Sequence, residues 1–311
     1  MSLLSLLLPA LFAVATPQAS DTDKTARADD KSASIDCDDC AQWNEPQTPF
    51  RMYGNTYYVG VHGLSSLLVD SGDGLILLDG GLPQSAPRIA DNIRTLGFEL
   101  GEVKWILNSH AHADHAGGIA ALQRMSGAQV AASARGRDGL RLGLAVPDDP
   151  QAALGESFRF PAVRDAKTIA DGEGVSLGNV TVTARYTPGH TPGATTWTWR
   201  SCEGKRCVDV VYADSLTAVS APGFRFNDDP ARVTQFRASI AKVRALPCQI
   251  MVSTHPGASQ VFEQLAASKH AGREAFIDAG ACRAYADNAL QKFEARLHEE
   301  AADKSPAVPL R

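Results

Sequence analysis

Four side chains able to bind a transition metal fall within six residues, in the run His110-Ala111-His112-Ala113-Asp114-His115. Three imidazoles and one carboxylate are borderline nitrogen and hard oxygen donors, a set that favours zinc over magnesium or calcium. Read as an extended segment leaving a strand, the run projects His110, His112 and Asp114 to one side. His115 then points elsewhere, toward a second ion beside the first. Ala111, Ala113, Ala116, Gly117 and Gly118 are small neighbours that let the backbone fold tightly around an ion. The competing reading, surface histidines at a turn, leaves that density of donors unexplained.

Two more histidines sit in turn-rich strings, Thr187-Pro188-Gly189-His190-Thr191-Pro192-Gly193 and Ser253-Thr254-His255-Pro256-Gly257. Each follows a strand-like run, where loops on a rigid scaffold present functional side chains. Of the 8 histidines in the chain, five lie in these three segments, whereas His62, His270 and His298 read as surface or packing residues. A structural zinc site closes with four ligands, so a set of six leaves room for a second metal and a water. The implied chemistry is hydrolysis at a dinuclear centre rather than a zinc-stapled binding module.

The elements that must carry these residues follow from periodicity. Strand-like runs at 57–61, 66–70 and 75–79 are bounded by Gly or Asp turns, and Ser71-Gly72-Asp73-Gly74 joins the last two as a hairpin. Helical spacing over 83–96 puts Ile89, Ile93 and Leu96 on one face, with Gly97 as the stop. A strand at 103–107 delivers His110, a helix at 118–126 follows, and another strand spans 129–132. From 143 to 163 the pattern dissolves into a loop holding Leu154, Phe158 and Phe160. A long loop with apolar residues reads as a lid, and Phe158 and Phe160 are its candidates for substrate contact. Strands at 175–177, 180–186, 194–199 and 208–212, a helix at 232–246, a strand at 250–253 and helices at 261–265 and 281–300 complete the chain. Only one of Trp197 and Trp199 is expected to face the core. Two groups of meandering strands, each followed by helices, predict an α/β fold of two facing sheets with helices outside. Donors spread over both halves make 43–300 one domain, with a tail at 301–311.

Composition bounds the rest. Hydrophobic residues make up 44% and charged residues 21% of the 311, which is globular. Net charge is -5 and no Lys/Arg block occurs, so neither nucleic acid nor an anionic membrane is an expected partner. Residues 1–20 hold an apolar stretch interrupted by Pro9, too short for the roughly 20 residues of a membrane span. They read as a signal peptide, with small residues around Ala13-Val14-Ala15 or Ala19 for cleavage but no Lys or Arg before the apolar run. Export to the periplasm follows, and 21–42 reads as a flexible lead-in. Six cysteines in an exported chain imply disulfides, although six allow 15 connectivities. Cys202 and Cys207 bracket a turn-like insert, and a bridge between Cys248 and Cys282 would pin the last helix. The pairing of Cys37 with Cys40 stays open; a zinc site there has no second CxxC or nearby histidine to complete it.

The His-x-His-x-Asp-His run, the Leu77-Leu78-Asp79-Gly80-Gly81 segment and the later Gly-His and Thr-His turns resemble the metallo-β-lactamase superfamily. The strings Ser109 to Gly117, Gly189 to Gly193, Tyr212 to Leu216 and His255 to Ala258 are similar to those of the third subclass of zinc-dependent β-lactamases. The likeness runs from about Trp43 to about Lys292; it covers the first 36 residues, Cys37, Cys40 and the 143–163 loop poorly. It implies a four-layer αββα sandwich, two mixed β-sheets flanked by helices. It also implies two zinc ions per monomer, the first held by His110, His112 and His190, the second by Asp114, His115 and His255. Ser215 falls where another subclass has a zinc-binding cysteine, so His115 takes over that task. Ser215 and Thr217 are placed near the substrate carboxylate. The implied activity is hydrolysis of the lactam amide of penicillins, cephalosporins and carbapenems by a metal-bridging hydroxide that Asp114 orients. No Gly-x-Ser-x-Gly elbow supports a serine nucleophile. The alternative is a thioesterase of the glyoxalase II type or a lactonase, in which Asp214 would bridge the metals. Oligomeric state stays open, a monomer being favoured.

Overall fold

The computed structural model describes residues 34–303; the proposed signal segment, most of the lead-in and the last eight residues lie outside them. In the first half of the chain, short apolar runs become seven strands paired in chain order. They are β1 (Phe50–Tyr53), β2 (Thr56–Tyr58), β3 (Leu67–Asp70), β4 (Leu75–Leu78), β5 (Val103–Leu107), β6 (Gln129–Ala132) and β7 (Lys167–Thr168). The strands from β1 to β4 pair antiparallel, as tight turns allow. From β4 onward pairing is parallel, which requires crossovers. Those are supplied by α2 (Ala86–Thr95), then α3 (Ala113–Ala116) with α4 (Ile119–Ser126), then α5 (Ala134–Leu142); α1 (Cys40–Trp43) precedes the sheet.

The second sheet has the order β12-β11-β10-β9-β8, built from β8 (Gly174–Leu177), β9 (Val180–Tyr186), β10 (Thr195–Glu203), β11 (Arg206–Ala213) and β12 (Ile250–Ser253). It is antiparallel except for β11 with β12, which α6 (Pro230–Ala245) connects. Two helices, α7 (Val261–Ala271) and α8 (Ala281–Ala302), close the fold. Among the described residues no helix is long and apolar enough to cross a membrane.

Alternation along the strands produces the layers. Leu67, Val69, Ile76 and Leu78 face Val182, Trp197, Val208, Val210 and Tyr212 in one core between the sheets. Their neighbours Leu68, Leu75 and Leu77 face Ile89, Ile93, Ile119 and Leu122 of the first helix layer. On the other sheet, Val211, Ala213 and Met251 face Phe236, Ile240, Val243 and Phe293 of α6 and α8. Both sheets are mixed and each has helices outside, which is the expected αββα sandwich.

Three expectations change, and one helix falls where none was read. Trp197 and Trp199 are both buried, because residues two apart on a strand share one face. Order begins earlier than a flexible 21–42 lead-in allows: Ile35 and Cys40 are buried in the first core cluster. Within the 143–163 loop two short 3-10 turns occupy Ala152–Phe158, broken by a kink at Gly155 (φ 62°, ψ -143°). Finally, α5 forms from a Gly- and Arg-rich string without apolar periodicity. Ser133 caps it by accepting from Gly136 N at 3.1 Å, and a Cβ at Gly139 would meet Ala111 Cβ at 2.6 Å. Close approach to the histidine run, rather than helix propensity, explains glycine there.

All six cysteines are paired, as Cys37–Cys40, Cys202–Cys207 and Cys248–Cys282. The last ties the start of α8 to a position two residues before β12, as expected.

Candidate metal centre

The histidine run sits where β5 leaves its sheet, and its floor is Asp79. This residue adopts the left-handed region with φ 58°, unusual for a side chain bearing a Cβ. Its carboxylate accepts from Ser109 N at 2.7 Å, Ser109 Oγ at 2.6 Å, Tyr212 OH at 2.8 Å and Asn108 Nδ2 at 3.1 Å. Burial pushes its pKa up, against the pull of His115 and of the Ser109 and Tyr212 donors. The following Gly80 and Gly81 pack on the run itself: Gly80 N donates to His115 O at 2.8 Å and Gly118 N to Gly81 O at 3.0 Å. A Cβ on Gly118 would stand 2.2 Å from Gly80 O, so only glycine fits.

The run is not extended throughout. His112 is the N-cap of α3, with φ -96° and ψ 156°, so Asp114 and His115 occupy successive positions of a helical turn. Strand alternation had grouped Asp114 with His110 and His112; the helical turn instead sets it beside His115.

His110, His112 and His190 offer ligand atoms that all lie within 4.8 Å of one another. Each ring is held by a hydrogen bond on the nitrogen turned away. His110 Nδ1 donates to Asp214 Oδ1 at 2.6 Å, His112 Nε2 to Asp149 Oδ1 at 3.1 Å and His190 Nδ1 to Thr217 O at 2.9 Å. His110 Nε2 is buried with no partner among the described residues, an orphan that an ion would satisfy. Burial and the neighbouring imidazoles hold His110 far below the usual histidine range, and burial with His112 pushes His190 down to about 3. Both are therefore neutral near pH 7, the form that ligates metal.

The second group is tighter. Asp114 Oδ2 lies 3.1 Å from His115 Nε2 and 3.3 Å from His255 Nε2, and the two nitrogens are 3.2 Å apart. Such edges belong to a tetrahedron whose centre is about 2.0 Å from each corner, the zinc distance to imidazole and carboxylate. Burial alone would raise the Asp114 pKa, yet His115 and His255 hold it well below the usual carboxylate range. Burial would lower His115, but Asp114 beside it leaves it raised. The donor set has zinc character, and the structure brings His110, His112, His190, Asp114, His115 and His255 together at one place.

Asp214 is fully buried behind His110 rather than among the converging donors. Burial, with Asp79 nearby, pushes its carboxyl well above the usual range against the pull of His115. Asp149, from the 143–163 loop, does the same service for His112; burial would raise it, but His112 and Gln151 N hold it low. Neither backing role was legible in the sequence, since both depend on contacts across long stretches of chain.

The donors open into a cleft of about 310 Å³, within the size range of small-molecule sites. Trp43, Leu144, Leu154, Phe158 and Val219 form its apolar wall, and Thr217 adds a hydroxyl. Phe158 is therefore where the sequence reading put it. Phe160 is not: it is buried in the core with Leu140 and Val163, and its N–H donates to Gly143 O at 2.9 Å to close the base of the loop. Ser215, expected near the substrate carboxylate, is buried and does not line the cleft as Thr217 does; its hydroxyl lies 2.8 Å from Thr254 Oγ1. Asp39 and Trp43, both absent from the sequence reading of the site, also line the cleft.

Comparison with known proteins agrees with this geometry. The structure is similar to the Rm3 metallo-beta-lactamase, with TM-score 0.83 and 49% identity over 86% of this chain and 99% of that one. It is equally similar to MEM-A1, a subclass B3 metallo-beta-lactamase from a soil metagenome library, with TM-score 0.81 and 50% identity over 84% of this chain and 100% of that one. Among curated proteins, a hydroxyacylglutathione hydrolase of Anaeromyxobacter dehalogenans (strain 2CP-C) is 29% identical over 67% of this chain, a match spanning only 63% of that relative's length. The model of the metallo-beta-lactamase superfamily matches residues 59–255, a span that holds all six converging donors, and the chain belongs to that superfamily.

Proposed function

We propose that the protein is a zinc-dependent β-lactamase that holds two zinc ions and opens the lactam amide of penicillins, cephalosporins and carbapenems. The observation that carries this reading is the pair of donor triplets at the floor of one apolar cleft. His110, His112 and His190 would hold one ion, with Asp114, His115 and His255 holding the other. When bound, the zinc pair supplies a hydroxide near neutral pH and a Lewis acid for the carbonyl oxygen. Asp114 has Oδ2 committed to His115 and His255, which leaves Oδ1 to accept a hydrogen bond from the attacking water and orient it. Thr217 Oγ1, 3.1 Å from His190 Nδ1, is placed to donate to the substrate carboxylate. Trp43, Leu154 and Phe158 hold the ring system and exclude bulk water. Ser215 is buried on Thr254 and takes no part as a nucleophile.

The thioesterase reading has the curated relative in its favour. Against it, Asp214 is turned to His110 rather than into the donor groups. Three disulfides fit an oxidising compartment such as the periplasm. The test is a panel: a penicillin, a cephalosporin and a carbapenem beside a thioester and a lactone, with and without chelator. Lactam hydrolysis that vanishes with chelator and returns with zinc is expected; turnover of the thioester alone, or lactam hydrolysis indifferent to chelator, would overturn the reading.

A further inference from the structure

The superfamily match begins at residue 59, yet one wall of the cleft is built by the chain before it. That segment is anchored at several points. Ile35 N donates to Gln84 Oε1 at 3.1 Å and Gln84 Nε2 returns a bond to Ile35 O at 2.7 Å. The Cys37–Cys40 bridge closes the next turn and Cys40 is buried. Gly63 N donates to Trp43 O at 3.0 Å, with room for no Cβ at Gly63, since it would stand 2.5 Å from Trp43 Cα. Ser85 Oγ donates to Asn44 Oδ1 at 2.8 Å.

From this anchored turn two side chains reach the cleft. The Trp43 ring stands 5.4 Å from that of His255. Asp39 sits one turn earlier at the N-cap of α1, but its side chain makes no capping bond and no ion pair among the described residues. Apart from the donor Asp114 it is the only carboxylate on the cleft wall, and no lysine or arginine lines that wall among the described residues. Thr217, bonded to His190, marks the other side of the donor cluster. The cleft thus sets Thr217 against His190 of one donor group, while Asp39 belongs to the turn whose Trp43 packs near His255 of the other.

Resting on the lactamase reading, we propose that Asp39 is a specificity-determining residue that favours β-lactams with a cationic amine on the acyl side chain. The group is solvent-exposed, so the preference is that of a single surface ion pair, about 2- to 5-fold in kcat/KM. It weakens as salt screens it.

Benzylpenicillin and ampicillin differ by one side-chain amine and make the matched pair. Their kcat/KM ratio is to be measured with the zinc-loaded protein at low salt and about pH 6.5, where an α-amino group is protonated. Asp39→Asn is expected to shift the ratio toward benzylpenicillin by about 2- to 5-fold, Asp39→Lys further, and added salt to erase the difference. A merely structural role for Asp39 would move both substrates alike. Hydrolysis of both penicillins with a ratio indifferent to Asp39→Asn and Asp39→Lys would overturn this proposal alone. Hydrolysis of neither would overturn the lactamase reading and this proposal with it.

Discussion

Asp149→Ala tests how much of the first metal group depends on the loop that walls the cleft. His112 Nε2 donates to Asp149 Oδ1 at 3.1 Å, and that carboxylate also accepts from Gln151 N at 2.8 Å. With Nε2 carrying the proton, Nδ1 keeps its lone pair, with the Gln151 amide nitrogen 3.4 Å away. Loss of tautomer choice alone would cost only about twofold, since free imidazole still spends a large share of its time in either form. The larger part is orientation and charge: a hydrogen bond to an ionised group contributes about 1.5–3 kcal/mol, which is about 10- to 100-fold in affinity. Backing carboxylates at other metal sites are worth the same 10- to 100-fold. Asp149→Asn keeps an oxygen acceptor for Nε2–H, and a neutral acceptor retains roughly half of the charge-assisted energy. It should therefore weaken binding by only about 3- to 10-fold. Competition with a chromophoric chelator reads both affinities, and the visible spectrum of the cobalt-substituted protein reports the geometry at the first group. Two ions bound by Asp149→Ala with unchanged affinity and spectrum would refute the role assigned to this carboxylate.

The remaining predictions concern the second group, Asp214 and the scaffold. His115→Ala breaks the triplet of 3.1–3.3 Å edges and should reduce metal content from two ions toward one; elemental analysis that still finds two contradicts the ligand assignment. Asp214→Asn should leave two ions in place, because Asp214 meets His110 Nδ1 rather than the converging donors, whereas a metal-bridging carboxylate would release them. Cys248→Ser with Cys282→Ser opens a loop of sequence separation 34 and should lower stability by about 3–4 kcal/mol in urea unfolding, with α8 detaching first. An unchanged midpoint would mean that the core shared by α6 and α8 holds that helix without the bridge.

Where one physical pattern acted alone, the sequence was readable. The strands at Val103–Leu107, Gln129–Ala132, Val180–Tyr186 and Ile250–Ser253 lie at the boundaries expected of them, since continuous or alternating apolar runs dominate there. All six converging donors were legible, because no other chemistry explains such spacing. Failures came where two demands competed. Gly136 and Gly139 argue against a helix, yet α5 forms because their lack of side chains lets it approach Gly193 and Ala111. Only four residues long, α3 has no periodicity to read. Phe160 was misplaced because an apolar residue in a long loop gives no sign of whether it faces the cleft or the core. The carboxylates of Asp39 and Asp149 were invisible as site residues, since their roles rest on contacts 37 or more positions away or on the path of the whole N-terminal turn.

Asp79 explains how a site assembled from two sheets holds its geometry. Apolar packing between the sheets is strong but non-directional, so Leu67, Ile76 and Val210 cannot by themselves fix one sheet against the other to the half-ångström tolerance of a preorganised site. Hydrogen bonds can. Asp79 follows β4, takes two bonds from Ser109 and one from Asn108 after β5, and takes a fourth from Tyr212 of β11 in the opposite sheet. Tyr212 OH also reaches Ser65 O at 2.9 Å, while Trp197 Nε1 donates to Asn108 O at 3.1 Å. The strand ends that carry His110 and Asp214 are thereby tied directly beneath the donors. The left-handed backbone at Asp79 costs about 1–3 kcal/mol and persists only where its surroundings over-determine it. Four donors on one buried carboxylate supply that over-determination, and they do so at the seam where both triplets must be aligned.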